Sequence, residues 1–254
     1  MTTTAGAPLA MRVLVGVAAV LYMMWALSPS HLPSRTSFVS ELLVHDQPGS
    51  GLLRAADLVA GVLVTLAAAL AWRLRDRVAP VPRWVAAAAV LGTAASGIAT
   101  IIDAMSPLSC TPTASEACRQ AEQAGTVPLQ HQIDSISSSV AGLGTTVGMV
   151  ATALLVRARA QVLAPGVVRL YVAFAVLFLV VTAWVLLEVA VHSRLVSSAG
   201  PDMLGWSQRL QITAVAAWLG VVAVLPPWTG RRQADRPREA DGPREADGPR
   251  GVGT

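Results

Sequence analysis

The chain has 254 residues, of which 54% are hydrophobic and 13% charged, where a soluble domain carries about a quarter charged residues. Its net charge of +4 rests on arginine alone, since lysine is absent, and the mean hydropathy is +0.56. These values exclude an ordinary soluble domain. Arginines that gather at the ends of apolar runs, with no basic face interleaved with aromatics, argue against a nucleic-acid partner.

An apolar run of roughly 20 residues is the length needed to cross a hydrocarbon core about 30 Å thick. The sequence predicts six such spans, over 11–28, 55–72, 84–104, 133–156, 168–191 and 210–228. The expected fold is therefore all-α: a polytopic six-helix membrane bundle, with a short segment 1–10 before it and a tail 229–254 after it. An alternative for the first span is a signal peptide, because Ala26 and Ser28 form an A-x-S-like site, but Pro29 disfavours cleavage there.

Between the first two spans, "SFVSELLVHDQPGSG" predicts two turns of amphipathic helix on the membrane surface. Phe38, Val39, Leu42 and Leu43 would face inward, and Glu41, His45 and Asp46 would be carried towards the mouth of the bundle. A plain loop is the alternative. The second span opens with Arg54 three residues before Asp57, a spacing at which the two can pair. The third span, "WVAAAAVLGTAASGIATII", and the fourth, "ISSSVAGLGTTVGMVATALL", are crowded with small residues that let helices approach closely in lipid. Gly144 and Gly148 form a G-x-x-x-G in the fourth, a pattern that chance also produces in an Ala/Gly-rich chain. The bulky fifth span, "LYVAFAVLFLVVTAWVLL", belongs on the lipid side. The tail repeats "PREADG" at 237–242 and 243–248, has almost nothing to bury, and is expected to be disordered.

Arginine placement sets the expected orientation. Arg12, the second and fourth connections and the start of the tail hold twelve arginines, against five in the other three connections. The positive-inside rule then puts both termini in the cytoplasm. All four histidines and most acids outside the tail fall on the opposite, outer side. Asp103 lies twenty residues beyond Arg83, roughly 30 Å, and Glu188 lies at a similar level. Asp57 lies sixteen residues before Arg73, roughly 24 Å, a turn deep in the outer leaflet. His131 and Asp134 share a face with Ser135, Ser138, Gly142 and Thr145, and Glu188 shares one with His192.

Ionisable groups at this depth mark a functional site by default. The candidate is an outward-facing polar pocket of Arg54, Asp57, Asp103, His131, Asp134, Glu188 and His192. The plainer reading is a network of ion pairs and hydrogen bonds that locks helix ends together. Zinc could be held by His131, His192 and one of Asp57, Asp103 or Asp134, with Glu188 as base, but no local metal motif supports it. Ser135, Ser137, Ser138 and Ser139 lack the G-x-S-x-G of a serine nucleophile. Cys110 and Cys118, placed outside the cytoplasm, are expected to form a disulfide that makes "CTPTASEAC" a compact lid.

Two stretches carry a family resemblance: "SELLVHDQPGSGLLRAADLVAG" and "DAMSPLSCTPTASEACRQAEQAGTVPLQHQIDS". They resemble bacterial six-helix membrane proteins of the domain-of-unknown-function family 998. The matching positions are Ser40, Glu41, Arg54, Asp57, Asp103, Pro107, Cys110, Cys118 and His131, within residues 10–228. The resemblance implies a fold and a location in the plasma membrane, and no activity. Three roles stay open: binding or organising lipid or a membrane partner, hydrolysis of lipid head groups, and small proton- or ion-coupled transport.

Overall fold

The computed structural model describes residues 6–74, 81–161, 163–194 and 203–227, and of 6–8 and 191–194 it describes the backbone alone. The tail 229–254 with its repeats, residues 1–5, and the side chain of His192 lie outside the described residues. Among the described residues there are seven α-helices and no strand: α1 Gly6–Leu21, α2 Ser50–Leu74, α3 Arg83–Met105, α4 Glu116–Gln123, α5 Leu129–Ala158, α6 Pro165–Arg194 and α7 Leu204–Val224. A 3-10 turn, Met24–Leu27, follows α1, and Leu9–Leu27 together with α2, α3, α5, α6 and α7 gives six segments long and apolar enough to cross a membrane.

Proline punctuates the starts. Pro82 and Pro128 stand immediately before α3 and α5, and Pro165 opens α6, positions where a missing N–H leaves no bond unmade. The short α4 is capped at both ends. Ser115 accepts from the Cys118 N–H at 3.3 Å, and Gly125, at φ 66°, closes the C-terminus with Thr126 N–H bonded to the Ala121 carbonyl.

The six long helices form a closed ring. α3 packs most extensively on α5 and then on α2, α1 touches α2 and α7, and α6 touches α5 and α7. Small residues set the tightest crossings. A Cβ on Gly61 would stand 2.7 Å from the Gly97 carbonyl oxygen, and one on Gly144 would stand 2.7 Å from the Ser96 nitrogen. These approaches let backbones touch where the hydrophobic effect cannot drive association. Half of the α5 membrane segment is buried within the bundle against 22% for α6, as small-residue and bulky spans should divide.

An apolar core of Val15, Val64, Met149, Val156, Tyr171 and Trp218 fills the half of the bundle towards Arg157 and Arg169, here called the arginine end. The disulfide end is built differently. The expected two-turn surface helix is a single 3-10 turn, Ser40–Leu43. Val39, Leu42 and Leu43 are buried as the pattern predicts, but Glu41 is fully buried too, while His45 and Asp46 stay exposed. The last span also departs from expectation, since α7 begins at Leu204 and not near 210. Arg209 sits inside it because its Nη1 donates to the carbonyls of Ser34 (2.8 Å), Ser37 (2.7 Å) and Gly205 (3.0 Å). Backbone oxygens from the first loop solvate the charge that made the sequence look like a connection.

Candidate functional site

The ring encloses a recess of about 150 Å³ at its disulfide half. Asp57 enters it from α2 and Asp103, Thr100 and Ser96 from α3, one face of that helix at steps of three and four residues. Ser138 and Thr145 come from α5, Gln208 and Gln211 from α7, and Tyr22 and Trp25 from the first span. Asp103 Oδ1 accepts from the hydroxyls of Ser137 and Ser138, both at 2.8 Å. Asp57 has neither a hydrogen-bond partner nor an ion-pair partner among the described residues, and no Arg or His lines the recess. The indole N–H of Trp25 is likewise buried without an acceptor.

Two hydroxyl pairs close the recess at its base. Tyr22 and Thr100 stand 3.0 Å apart, and Ser96 and Thr145 stand 2.7 Å apart. Their polarity follows from counting protons. Thr100 already donates to the Ser96 carbonyl and Thr145 to the Ala141 carbonyl. Tyr22 and Ser96 must therefore be the donors within their pairs.

The remaining members of the predicted constellation sit elsewhere. Arg54 turns its Nη1 to the His45 ring (3.0 Å to Nε2) instead of to Asp57. Glu188 accepts from the Trp184 indole at 2.9 Å and from the Met203 N–H at 3.4 Å, which ties α6 to the start of α7. His131 and Asp134 lie beneath the disulfide loop, 0% and 4% exposed. Cys110 and Cys118 are within bonding distance, their Cα atoms 6.0 Å apart. Within the loop they close, Thr113 gives both its N–H (2.7 Å) and its hydroxyl to the Glu41 carboxylate, which also takes the Phe38 N–H. Burial pushes the Glu41 carboxyl above its ordinary range, and the Thr113 and Phe38 hydrogen bonds only partly offset this.

His131 Nδ1 accepts from Ser109, hydroxyl at 3.0 Å and N–H at 3.3 Å, so the ring proton of the neutral form belongs on Nε2. That nitrogen is buried, makes no hydrogen bond, and lies 3.7 Å from Glu122 Oε1. Ser109 carries no motif and escaped the sequence reading. So did Tyr22, Ser96, Thr100, Gln208 and Gln211, although the α3 stripe of Thr93, Ser96, Thr100 and Asp103 was legible as a periodicity. Among the described residues no three His, Cys, Asp or Glu side chains come together as a metal-binding group. With the His192 side chain undescribed, the geometry gives the predicted zinc set no support.

A family model described as "Protein of unknown function (DUF998)" matches residues 7–225, and the chain belongs to that family. No curated protein and no solved structure matches it.

Proposed function

We propose that this six-helix member of the family is a bacterial plasma-membrane protein, disulfide end outward and both termini cytoplasmic, whose recess binds the ammonium group of a lipid head group. The observation that carries the reading is the unpartnered carboxyl of Asp57. A bare carboxylate inside a bundle is costly to keep, and a cation is the group that would satisfy it. The rest of the lining agrees in chemistry: a second acid, hydroxyls and amides that accept, the Tyr22 and Phe178 rings beside a Trp25 ring that already carries Arg209, and no Arg or His among the lining residues. A recess of about 150 Å³ has room for several waters or a small amine. The asymmetric arginines and the cysteine pair support the orientation.

The test is native mass spectrometry of protein taken from nanodiscs of mixed phosphatidylethanolamine and phosphatidylglycerol. Phosphatidylethanolamine should be retained by the wild type and lost in Asp57→Asn. Equal retention of phosphatidylglycerol would refute the reading.

A second reading has its own observation. Ser109, His131 and Glu122 stand in the order of a nucleophile, a base and an acid, the hydroxyl 3.0 Å from a ring nitrogen and the carboxylate 3.7 Å from the other. This supports the hydrolase of lipid head groups, by Ser109 attack with the proton passing to Nδ1. A fluorophosphonate probe should then label Ser109 in the wild type and not in His131→Ala.

A further inference from the structure

The recess is the first of three cavities stacked along the axis of the helix ring. A small one of about 10 Å³ lies next, sharing Tyr22, Ser96, Thr145 and Val215 with the recess above. It shares Thr93, Trp218 and Leu219 with a third of about 100 Å³, which reaches Leu74 and Pro227 at the arginine end. Trp218 is 5% exposed, and its indole N–H has no acceptor among the described residues, although the residue lines both lower cavities.

Protonatable and hydroxyl groups follow the same axis. Asp57 and Asp103 line the recess together, and Asp103 is bonded to Ser137 and Ser138 of α5. Asp134 lies one turn nearer the start of that helix, beside His131, whose Nε2 stands 3.7 Å from the 41% exposed Glu122. Below them come the pairs Tyr22–Thr100 and Ser96–Thr145, then Thr93 and Thr152. On α5 alone, Asp134 to Thr152 spans eighteen residues, roughly 27 Å at the helical rise, close to the thickness of a hydrocarbon core.

From this line of groups we propose that the bundle conducts protons across the membrane, from the disulfide end through the Ser96–Thr145 neck to the chamber at the arginine end. Size decides the ion. A neck of about 10 Å³ admits about one water and no hydrated cation. Trp218 N–H is the free donor that would hold that water, with Thr93 Oγ1 as an acceptor, because the Thr93 proton is already given to the Ala89 carbonyl. Each step breaks one O–H bond and makes another, and no other bond changes. The chamber is mostly apolar, with Thr93, Thr152 and Trp218 its few polar groups, so it acts as the dry gate of the path. Among the described residues no Arg or His lines the recess around Asp57: Tyr22 faces it from the turn after α1, Asp103 from α3, Ser138 from α5, Phe178 from α6, and Gln208 and Gln211 from α7. Arg54 is held by His45, and Arg209 by the carbonyls of Ser34, Ser37 and Gly205. The inference shares the recess with the proposed lipid site but does not require a lipid there.

Full-length protein would be reconstituted into liposomes containing a trapped pH-sensitive dye, with a potassium diffusion potential set by valinomycin. Internal pH should change faster than in protein-free vesicles, and Asp57→Asn and Trp218→Phe should each return it to the protein-free rate. Trp218→Phe lies outside the recess, so it should still retain phosphatidylethanolamine, which separates this proposal from the lipid reading. Thermal melts confirm that both variants fold. A wild-type rate equal to that of empty vesicles overturns the path, as does an unchanged rate in folded Trp218→Phe. So does a sodium gradient that the protein dissipates as readily as a proton gradient.

Discussion

Gly92 of α3 and Gly148 of α5 meet backbone to backbone: a Cβ on Gly92 would stand 2.5 Å from the Gly148 nitrogen and 2.8 Å from the Gly144 carbonyl oxygen. Both obstacles are main-chain atoms of a 30-residue helix, so neither can swing aside as a side chain would. Since α3 and α5 make the largest contact in the ring, spreading them also widens the Ser96–Thr145 neck.

Gly92→Ala is therefore expected to destabilise the bundle by about 1–3 kcal/mol, the usual range for overpacking. Gly142→Ala is the control, because nothing lies within 4 Å of a Cβ there. Alanine also favours a helix over glycine by about 1 kcal/mol. Thermal melts in detergent should move in opposite directions for the two variants. A Gly92→Ala melt at or above wild type would show that the helices have room to separate.

Glu41 makes stability depend on pH with a definite sign. Burial raises its folded-state pKa above the ordinary value of 4.5, so folding takes up protons between the two values. The stabilisation from its protonated form is complete below about 4.5 and is lost as pH climbs through the raised folded value. Melting temperatures of wild type and Glu41→Gln should lie closest at acid pH and diverge as pH rises, the wild type falling relative to the variant as its carboxyl ionises. Parallel profiles would mean that the carboxyl titrates as if it were in water.

The ring of helices was legible because a span announces itself by length and hydropathy, whatever its neighbours do. The place of Asp103 near the end of α3 opposite Arg83 was legible too, since it follows from counting along the helix. What the sequence hid is partnership. Arg54 sits at the right spacing for Asp57 yet is bonded to His45. Glu41 reads as a mouth-facing acid because the Thr113 groups that bury it are seventy-two positions away. Arg209 broke the hydropathy of the last span for the same reason, its acceptors being carbonyls of a distant loop. The neck was missed because Ser, Thr and Gly read alike as small residues, and only the observed contact between α3 and α5 separates packing from polar function.

Arg209 should be hard to replace. Its Nη1 holds three carbonyls, and its guanidinium lies 5.7 Å from the centre of the Trp25 ring. Arg209→Met leaves the Ser34 and Ser37 oxygens without their donor, at about 1–3 kcal/mol for each buried group left unsatisfied, while the Gly205 oxygen lies inside α7. The loop before α2 should then become a target for limited proteolysis while the six spans remain protected. Unchanged cleavage there would assign the stabilisation of the loop to Val39, Leu42 and Leu43 packing instead.

The Cys110–Cys118 link tests both the cap and the orientation. A ring closed across eight residues contributes about 2.5 kcal/mol in the chain-entropy account. The loop is also held by Thr113 on Glu41 and by the capped ends of α4, so its reduction should open it locally without unfolding the bundle. His131 is 0% exposed, and Ser109, beside Cys110, is bonded to it. In spheroplasts treated with a membrane-impermeant phosphine reductant, diethyl pyrocarbonate modification of His131 should rise from protected to ready. If it rises only after the membrane is permeabilised, the disulfide end faces the cytoplasm and the orientation fails. If it never changes, another segment covers the histidine.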